Sequence, residues 1–216
     1  MDEWFGRFRV YRVVESVLHY NFQDVTEPRL FSVYQSGYGD LQGVVDELRT
    51  GDLVEATLAG DCSDETEPWR LTTLERLNRV RTYFATDVRP PDVARELWTT
   101  GQGHPRYDIL TADGAPVGVC GVQPRSSLPN GAFVPNVLTG LLPLETQFES
   151  IPEVEEPAAE AIFIDPDPPD ASSYSTPYGV VLLFTETSTT LAGEFKTRYG
   201  CAPESDTRPD FDPYSI

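Results

Sequence analysis

The chain has two histidines, His19 and His104, whose side chains could serve as a general base near neutral pH. No G-x-S-x-G segment supplies a serine nucleophile for either of them to activate. His104 also stands directly before a proline in a glycine-containing segment. We therefore interpret both as ordinary polar residues and predict no catalytic residue.

Three aspartates, Asp165, Asp167 and Asp170, alternate with prolines in one segment, and spaced carboxylates of this kind can hold Ca²⁺ or Mg²⁺. The prolines remove backbone donors, and the segment lacks the glycine and the closing glutamate of an EF-hand loop. The pattern favours a solvated acidic loop. We predict no metal site and no cofactor.

The cysteines and glycines give no further motif. Cys62, Cys120 and Cys201 are odd in number, far apart and outside any CxxC pair, which argues against a disulfide framework and a zinc knuckle. There is no Walker A segment and no G-x-G-x-x-G. The Gly-Tyr-Gly at 37–39 is typical of a turn.

Aromatic and arginine side chains in the first third of the chain are the candidate partner-binding residues, because bases and partner side chains stack on such rings. An alternative is that half of the rings fill the protein interior. Residues 1–110 carry 12 basic and 19 acidic groups and residues 111–216 carry 4 and 16, so nucleic acid is only weakly supported. The candidates are Arg9, Tyr11, Arg12, Tyr20, Phe22, Arg29, Phe31, Tyr34 and Arg70.

The elements that must position these residues read as β-β-β-α-β-β. Alternating β-branched and aromatic residues predict strands at 8–14, 19–22, 29–34, 53–58 and 69–77. An apolar stripe of Leu41, Val44, Val45 and Leu48 predicts a helix over 40–49. This order predicts an OB-like small β-barrel over residues 1–82, although an SH3-like barrel would give a similar string.

The second half predicts a separate α+β domain of the order β-β-α-β-β-α over 106–201. A short helix and linker occupy 83–105. Between the two strand pairs we predict a helix over 136–150, kinked by Pro143. A helix over 187–199 ends at Gly200. Residues 202–216 are predicted to form a disordered acidic tail.

The charge of the chain indicates its setting. It has 216 residues, a formal charge of −19, 39% hydrophobic residues, and arginine at every basic position except Lys196. At about 1 M salt the Debye length is roughly 3 Å, so self-repulsion is screened while carboxylates keep the surface hydrated. The acidic N-terminus does not resemble a signal peptide, and no run of 18 apolar residues occurs. We expect a cytoplasmic protein of a halophilic cell, with no membrane association.

Four short segments, 7–10, 48–58, 94–98 and 198–200, together with the two apolar strands at 161–164 and 179–184, resemble a family of uncharacterised haloarchaeal proteins. The resemblance implies a haloarchaeal source and carries no activity. We predict a non-enzymatic binding or adaptor protein that engages a protein or nucleoprotein partner through the barrel. One alternative is a small enzyme with carboxylates such as Asp108 or Asp113 in a site between the halves. Another is a structural subunit of an assembly. The sequence does not predict the oligomeric state.

Overall fold

The computed structural model describes residues 2–64, 66–142, 144–202 and 205–214. Its chain divides into two compact units, one of 1–80 with 138–141, and one of 81–137 with 142–216. Each unit is built around a five-stranded sheet with short helices, so the α+β class is confirmed. We describe each unit separately.

The first unit contains five strands and one short helix. A 3₁₀ turn at Gly39–Leu41 leads directly into the helix. The elements are β1 (Asp2–Arg12), β2 (His19–Asp24), β3 (Leu30–Tyr34), α1 (Gln42–Asp46), β4 (Asp52–Gly60) and β5 (Arg70–Arg79). The observed order is therefore the predicted one, although β1 begins six residues earlier and α1 is half the predicted length.

The sheet of the first unit has the strand order β3-β2-β1-β4-β5, with every neighbouring pair antiparallel. β1 is long enough to pair with β4 through its first part and with β2 through its last part. A parallel bridge between Val33 and Trp69 joins the two outer strands. There the Tyr34 amide donates to the Trp69 carbonyl at 3.0 Å, and the Trp69 amide donates to Ser32 at 2.7 Å. A single bridge is not a continuous ladder of hydrogen bonds between the two outer strands, so the sheet is not a fully closed barrel.

The apolar stripe of the predicted helix packs into the core of this unit only in part. Val45 and Leu48 are fully buried against Phe8, Phe22 and Val54, as the spacing predicts. Val44 is exposed instead. The helix ends at Asp46, and the chain then turns at Gly51, whose φ is +96°, to enter β4.

The second unit places a mixed sheet of order β6-β9-β10-β8-β7 among four short helices. β6 runs parallel to β9, and the other neighbouring pairs are antiparallel. β9 and β10 are buried along their whole length, as their continuous apolar sequence predicts. The elements are β6 (Arg81–Thr86), α2 (Asp92–Leu97), β7 (Arg106–Ala112), β8 (Ala115–Pro124), α3 (Val134–Leu138), α4 (Glu145–Glu149), β9 (Glu160–Asp165), β10 (Tyr178–Phe184) and α5 (Thr189–Arg198).

Three features of this unit differ from the sequence prediction. β6 was not predicted. It belongs to the second sheet because it pairs with β9, which lies far along the chain, so no local pattern links the two strands. The single helix over 136–150 is two short helices, α3 and α4, while the predicted kink at Pro143 lies outside the described residues. The tail is not disordered throughout: Phe211 is buried, and Thr207 Oγ1 accepts a hydrogen bond from the Phe84 amide at 2.8 Å. Among the described residues, no helix is long and apolar enough to cross a membrane.

Candidate functional site

Five of the nine predicted partner-binding residues lie in the interior of the first unit. Arg9, Tyr11, Tyr20, Phe22 and Phe31 each expose 3% or less of their surface. Arg9, Tyr11, Tyr20 and Phe22 therefore do not meet a ligand, and the prediction is wrong for these four, whereas Phe31, though buried, lines a cleft. The alternative that many of the rings fill the interior describes them correctly.

Both faces of β1 are covered, which the alternation of side chains could not reveal. Phe8 and Val10 fill the core on one face. On the other face, Arg9 donates to the Gly51 carbonyl at 2.8 Å, and Tyr11 lies beside Gly140. A Cβ on Gly140 would come within 2.9 Å of the Tyr11 ring, and its φ is +77°, so only glycine lets this distant segment approach so closely.

The other four predicted residues keep some exposure, and three of them form ring contacts along β3. The guanidinium of Arg70 lies 4.5 Å from the centre of the Tyr34 ring. That of Arg29 lies 4.5 Å from the Trp4 ring and 4.8 Å from the Phe31 ring. Arg12, which is half-buried, lies at the far end of β1, where its backbone amide donates a hydrogen bond to Thr50 Oγ1 at 3.0 Å. We call Trp4, Arg29, Tyr34, Trp69 and Arg70 the β3-edge surface.

Asp24, at the end of β2, positions the Trp4 and Arg29 end of this surface. Its carboxylate accepts hydrogen bonds from the Trp4 indole at 3.0 Å and from the amide and hydroxyl of Thr26 at 2.8 and 2.7 Å. Burial acts to raise the pKa of Asp24, but these hydrogen bonds outweigh it and hold the pKa below the ordinary value. The ionised carboxylate therefore fixes both Trp4 and the turn that carries Arg29.

The indole of Trp69 is placed by a glycine on the neighbouring strand. A Cβ at Gly60 would lie 2.5 Å from the nearest indole carbon, so the ring packs directly on the backbone at the end of β4. Its other neighbour is Phe31, with ring centres 5.1 Å apart in an edge-to-face arrangement. Trp69 is thus held between the β4 end and the β3 interior.

A cleft of about 330 Å³ opens between β3 and the loop that joins β4 to β5. We call it the β3 cleft. One wall is aromatic, and the opposite wall carries three carboxylates. Its lining residues are Arg29, Leu30, Phe31, Ser32, Asp61, Cys62, Asp64, Glu67 and Trp69.

The carboxylate wall is shaped by two local turns. Asp61 Oδ1 accepts hydrogen bonds from the Ser63 amide at 2.8 Å and from its hydroxyl at 2.6 Å. Asp64 Oδ1 accepts the equivalent bonds from Thr66 at 2.9 and 2.6 Å. These hydrogen bonds, led by those from the hydroxyls, lower the pKa of both carboxyls. Both side chains are therefore ionised near neutral pH.

Sequence reasoning missed Trp4, Asp24, Cys62 and Trp69. Trp4 precedes the predicted start of β1, and Trp69 is only the first residue of the strand predicted over 69–77, one position before the observed β5. A usable signal existed at Gly60, because a glycine that ends an apolar strand opposite a tryptophan marks close packing of the ring on the backbone.

In the second unit, Asp165 and Asp167 form a buried cluster with Arg125, which corrects the prediction of a solvated acidic loop. One guanidinium nitrogen contacts Asp165 directly and lies 3.3 Å from Asp167 Oδ2. Burial raises the pKa of Asp165, and the charge of Arg125 offsets part of that rise. Asp170 is exposed.

The remaining donors of Arg125 stabilise two loops. They reach the Thr176 carbonyl at 2.8 Å and the Gly131 carbonyl at 2.9 Å, and the ring of Tyr174 lies over the guanidinium at 4.0 Å. These contacts of Arg125 hold both loops in place.

The candidate acid–base residues are divided between the units, with His19 in the first unit and His104, Asp108 and Asp113 in the second. His19, at the start of β2, is half-buried, and burial lowers its pKa. His104 is exposed, as are Asp108 on β7 and Asp113 in the turn after it. Among the described residues, no group of three or more His, Cys, Asp or Glu side chains is arranged to hold a metal ion.

Comparison with known proteins adds little to this geometry. No protein-family profile matches the chain, and no curated protein matches it. One solved structure with some likeness is a protein of unknown function, DUF1344, from Bacteroides vulgatus. It has 11% identity and a TM-score of 0.27, and the match covers 56% of this chain and 51% of that one. A similarity this low gives no family for the chain.

Proposed function

We propose that this protein is a non-enzymatic adaptor that binds a protein partner through the β3-edge surface of its first unit. The observation that carries the proposal is the row of half-exposed rings and arginines there, Trp4 with Arg29 and Tyr34 with Arg70. Aromatic and arginine side chains are the residues most enriched at the energetic centres of protein interfaces. The row also borders a cleft.

The first unit acts, in this proposal, as an OB-like module. Three features support the assignment: the strand order, the helix between β3 and β4, and the parallel bridge at Val33 and Trp69 that links the outer strands. OB-folds bind their ligands over strands two and three, flanked by the loop between strands four and five. The β3-edge surface and the β3 cleft occupy the equivalent place.

Charge favours a protein over a nucleic acid as the partner. Asp61, Asp64 and Glu67 line the β3 cleft against the single arginine of Arg29. A phosphate backbone would meet net negative charge there, whereas nucleic-acid-binding surfaces are basic. Of the rings on strands two and three that could have stacked bases, Tyr20, Phe22 and Phe31 are buried and Tyr34 is covered on one side by Arg70. Nucleic-acid binding is therefore the alternative that a binding experiment must distinguish from protein binding.

The setting we propose is a halophilic cytoplasm, as in the haloarchaeal family that the sequence resembles. The support is the formal charge of −19 and the near-complete replacement of lysine by arginine. Self-repulsion of this size is screened at molar salt. Binding experiments therefore belong in about 2 M KCl, where the Debye length is a few ångströms.

The decisive experiment compares two matched arginine variants as affinity baits in native lysate. Arg70→Ala removes the guanidinium from Tyr34, whereas Arg198→Ala removes an exposed arginine from the end of α5 in the other unit. We expect one set of proteins to be retained by the wild type and by Arg198→Ala and lost with Arg70→Ala. Equal recovery with both variants would exclude the β3-edge surface. A rise in anisotropy of labelled single-stranded DNA or RNA in about 2 M KCl would replace the protein partner with a nucleic acid.

A further inference from the structure

We propose that the β3 cleft binds a cationic side chain, arginine or lysine, presented by a basic segment of the partner protein. This inference rests on the proposed function and names the chemistry that the adaptor recognises. The cleft combines three features that favour such a ligand: ionised carboxylates, an aromatic wall that already holds a guanidinium, and a hydrogen-bond donor without a partner.

The carboxylates are preformed for a cation. Asp61 and Asp64 each use Oδ1 for their own turn, and the Glu67 amide adds a hydrogen bond to Asp64. Oδ2 of Asp61 has no hydrogen-bond partner among the described residues. Glu67 lines the same cleft. Because their turns hold these groups in place, a ligand meets oriented charge and needs little rearrangement of the loop.

The aromatic wall shows its affinity for a guanidinium within the protein itself. Arg29 lies over the rings of Trp4 and Phe31, both within the distance at which a cation is attracted to a ring face. Arg29 also reaches toward the opposite loop, where one of its guanidinium nitrogens lies 4.0 Å from Cys62 Sγ, and about 330 Å³ stays open beside it. A second cation can therefore enter this open volume next to the carboxylates.

Trp69 supplies the third feature. Its residue is 7% exposed and lines the cleft, yet its indole N–H makes no hydrogen bond to any described residue. In contrast, the indole of Trp4 donates to Asp24. This N–H is reached by solvent, so it can donate to a ligand that enters the cleft. The backbone carbonyl beside an inserted arginine or lysine would accept that hydrogen bond, which favours a peptide over a free amine.

The size of the cleft restricts the ligand further. A volume of about 330 Å³ stands at the lower end of the usual range for ligand sites, about 300–1,000 Å³. It fits one long side chain and its neighbouring peptide group. The carboxylate wall excludes an anionic side chain by repulsion.

Cys62 lets the wild-type protein report on occupancy. Its thiol is exposed and lines the cleft, whereas Cys120 and Cys201 are buried. Alkylation by neutral iodoacetamide, followed by mass spectrometry, therefore reads Cys62 and uses the buried cysteines as internal references. The probe is the peptide acetyl-Gly-Arg-Gly-amide, and its matched control carries glutamine in place of arginine.

We expect the arginine peptide at saturation to slow Cys62 alkylation about fivefold or more, and the glutamine peptide to leave the rate unchanged. A combined Asp61→Asn, Asp64→Asn and Glu67→Gln variant should bind the arginine peptide about tenfold more weakly. Asparagine can still accept the Ser63 and Thr66 hydrogen bonds, so the turns are kept. The matched control variant neutralises three exposed glutamates of the second unit, Glu149, Glu186 and Glu194.

Three results would overturn the inference: no protection by the arginine peptide, equal protection by the glutamine peptide, or equal loss of binding in both triple variants. Protection by an oligothymidylate instead would assign the cleft to nucleic acid. The proposed function fails separately, through the Arg70→Ala bait. If that bait loses its partners while the peptide gives no protection, the adaptor role stands and the cationic ligand is excluded.

Discussion

Removing the guanidinium of Arg29 tests whether ring contacts stabilise the β3-edge surface. In Arg29→Ala the contacts with Trp4 at 4.5 Å and Phe31 at 4.8 Å are lost. A cation over an aromatic ring contributes about 0.5–1 kcal/mol when exposed and about 2 kcal/mol when desolvated. Arg29 is half-buried and touches two rings, so we expect the free energy of unfolding to fall by about 1–2 kcal/mol.

The matched control is Arg76→Ala, which removes an arginine that relies on an ion pair. Arg76 lies 3.9 Å from Glu47, and both side chains are largely exposed. Such pairs contribute about 0–1 kcal/mol in dilute buffer and less when salt screens them. Ring contacts involve adjoining groups and should persist at high salt.

Urea denaturation at about 0.5 M and about 2 M KCl, followed by tryptophan fluorescence, measures both variants. We expect the Arg29→Ala deficit to keep its size at the higher salt and the Arg76→Ala deficit to approach zero. The reasoning would be refuted by equal deficits in the two variants, or by an Arg29→Ala deficit that disappears with salt.

Three further predictions concern other positions. Gly60→Ala should destabilise by about 1–3 kcal/mol because its Cβ meets the Trp69 ring, whereas Gly193→Ala, in open space on α5, should stabilise by up to about 1 kcal/mol. Urea titration ranks the two, and the opposite order would contradict the packing. The lowered pKa of Asp24 means that its stabilisation is present above its ordinary value of 3.8 and is lost as the pH falls through the lower folded value. Asp24→Asn should therefore flatten that part of an acid titration followed by fluorescence; an unchanged titration would argue against the role of Asp24. Arg125→Met leaves Asp165 buried without its counter-charge and should cost about 3–5 kcal/mol of unfolding free energy in urea, and a loss below about 1 kcal/mol would show that the cluster is dispensable.

Local patterns were sufficient to predict most elements. Alternation placed β2, β3 and β4, and continuous apolar runs marked β9 and β10 as buried, because side-chain periodicity reflects strand geometry directly. Gly200 ends α5 at a φ of +68°, a conformation that glycine adopts without strain. Composition and charge likewise follow from the sequence by itself.

The candidate site depended on contacts between distant residues. A period of two separates the faces of β1 but does not say that a segment near residue 140 covers the second face and buries Tyr11. Nothing local couples Arg125 to Asp165, or β6 to β9. Each of these pairs is separated by about 40 residues or more, and its formation depends on the packing of the whole unit.

The sequence by itself determined an acidic, arginine-rich α+β chain with rings and arginines concentrated in its first strands. Only the tertiary structure decided which of them meet solvent. It buried five of the nine candidates, left Arg12, Tyr34 and Arg70 with some exposure, and placed Arg29 in the lining of an acidic cleft that includes Trp69. The physical reason is that exposure depends on which elements cover a strand, and those elements come from remote parts of the chain.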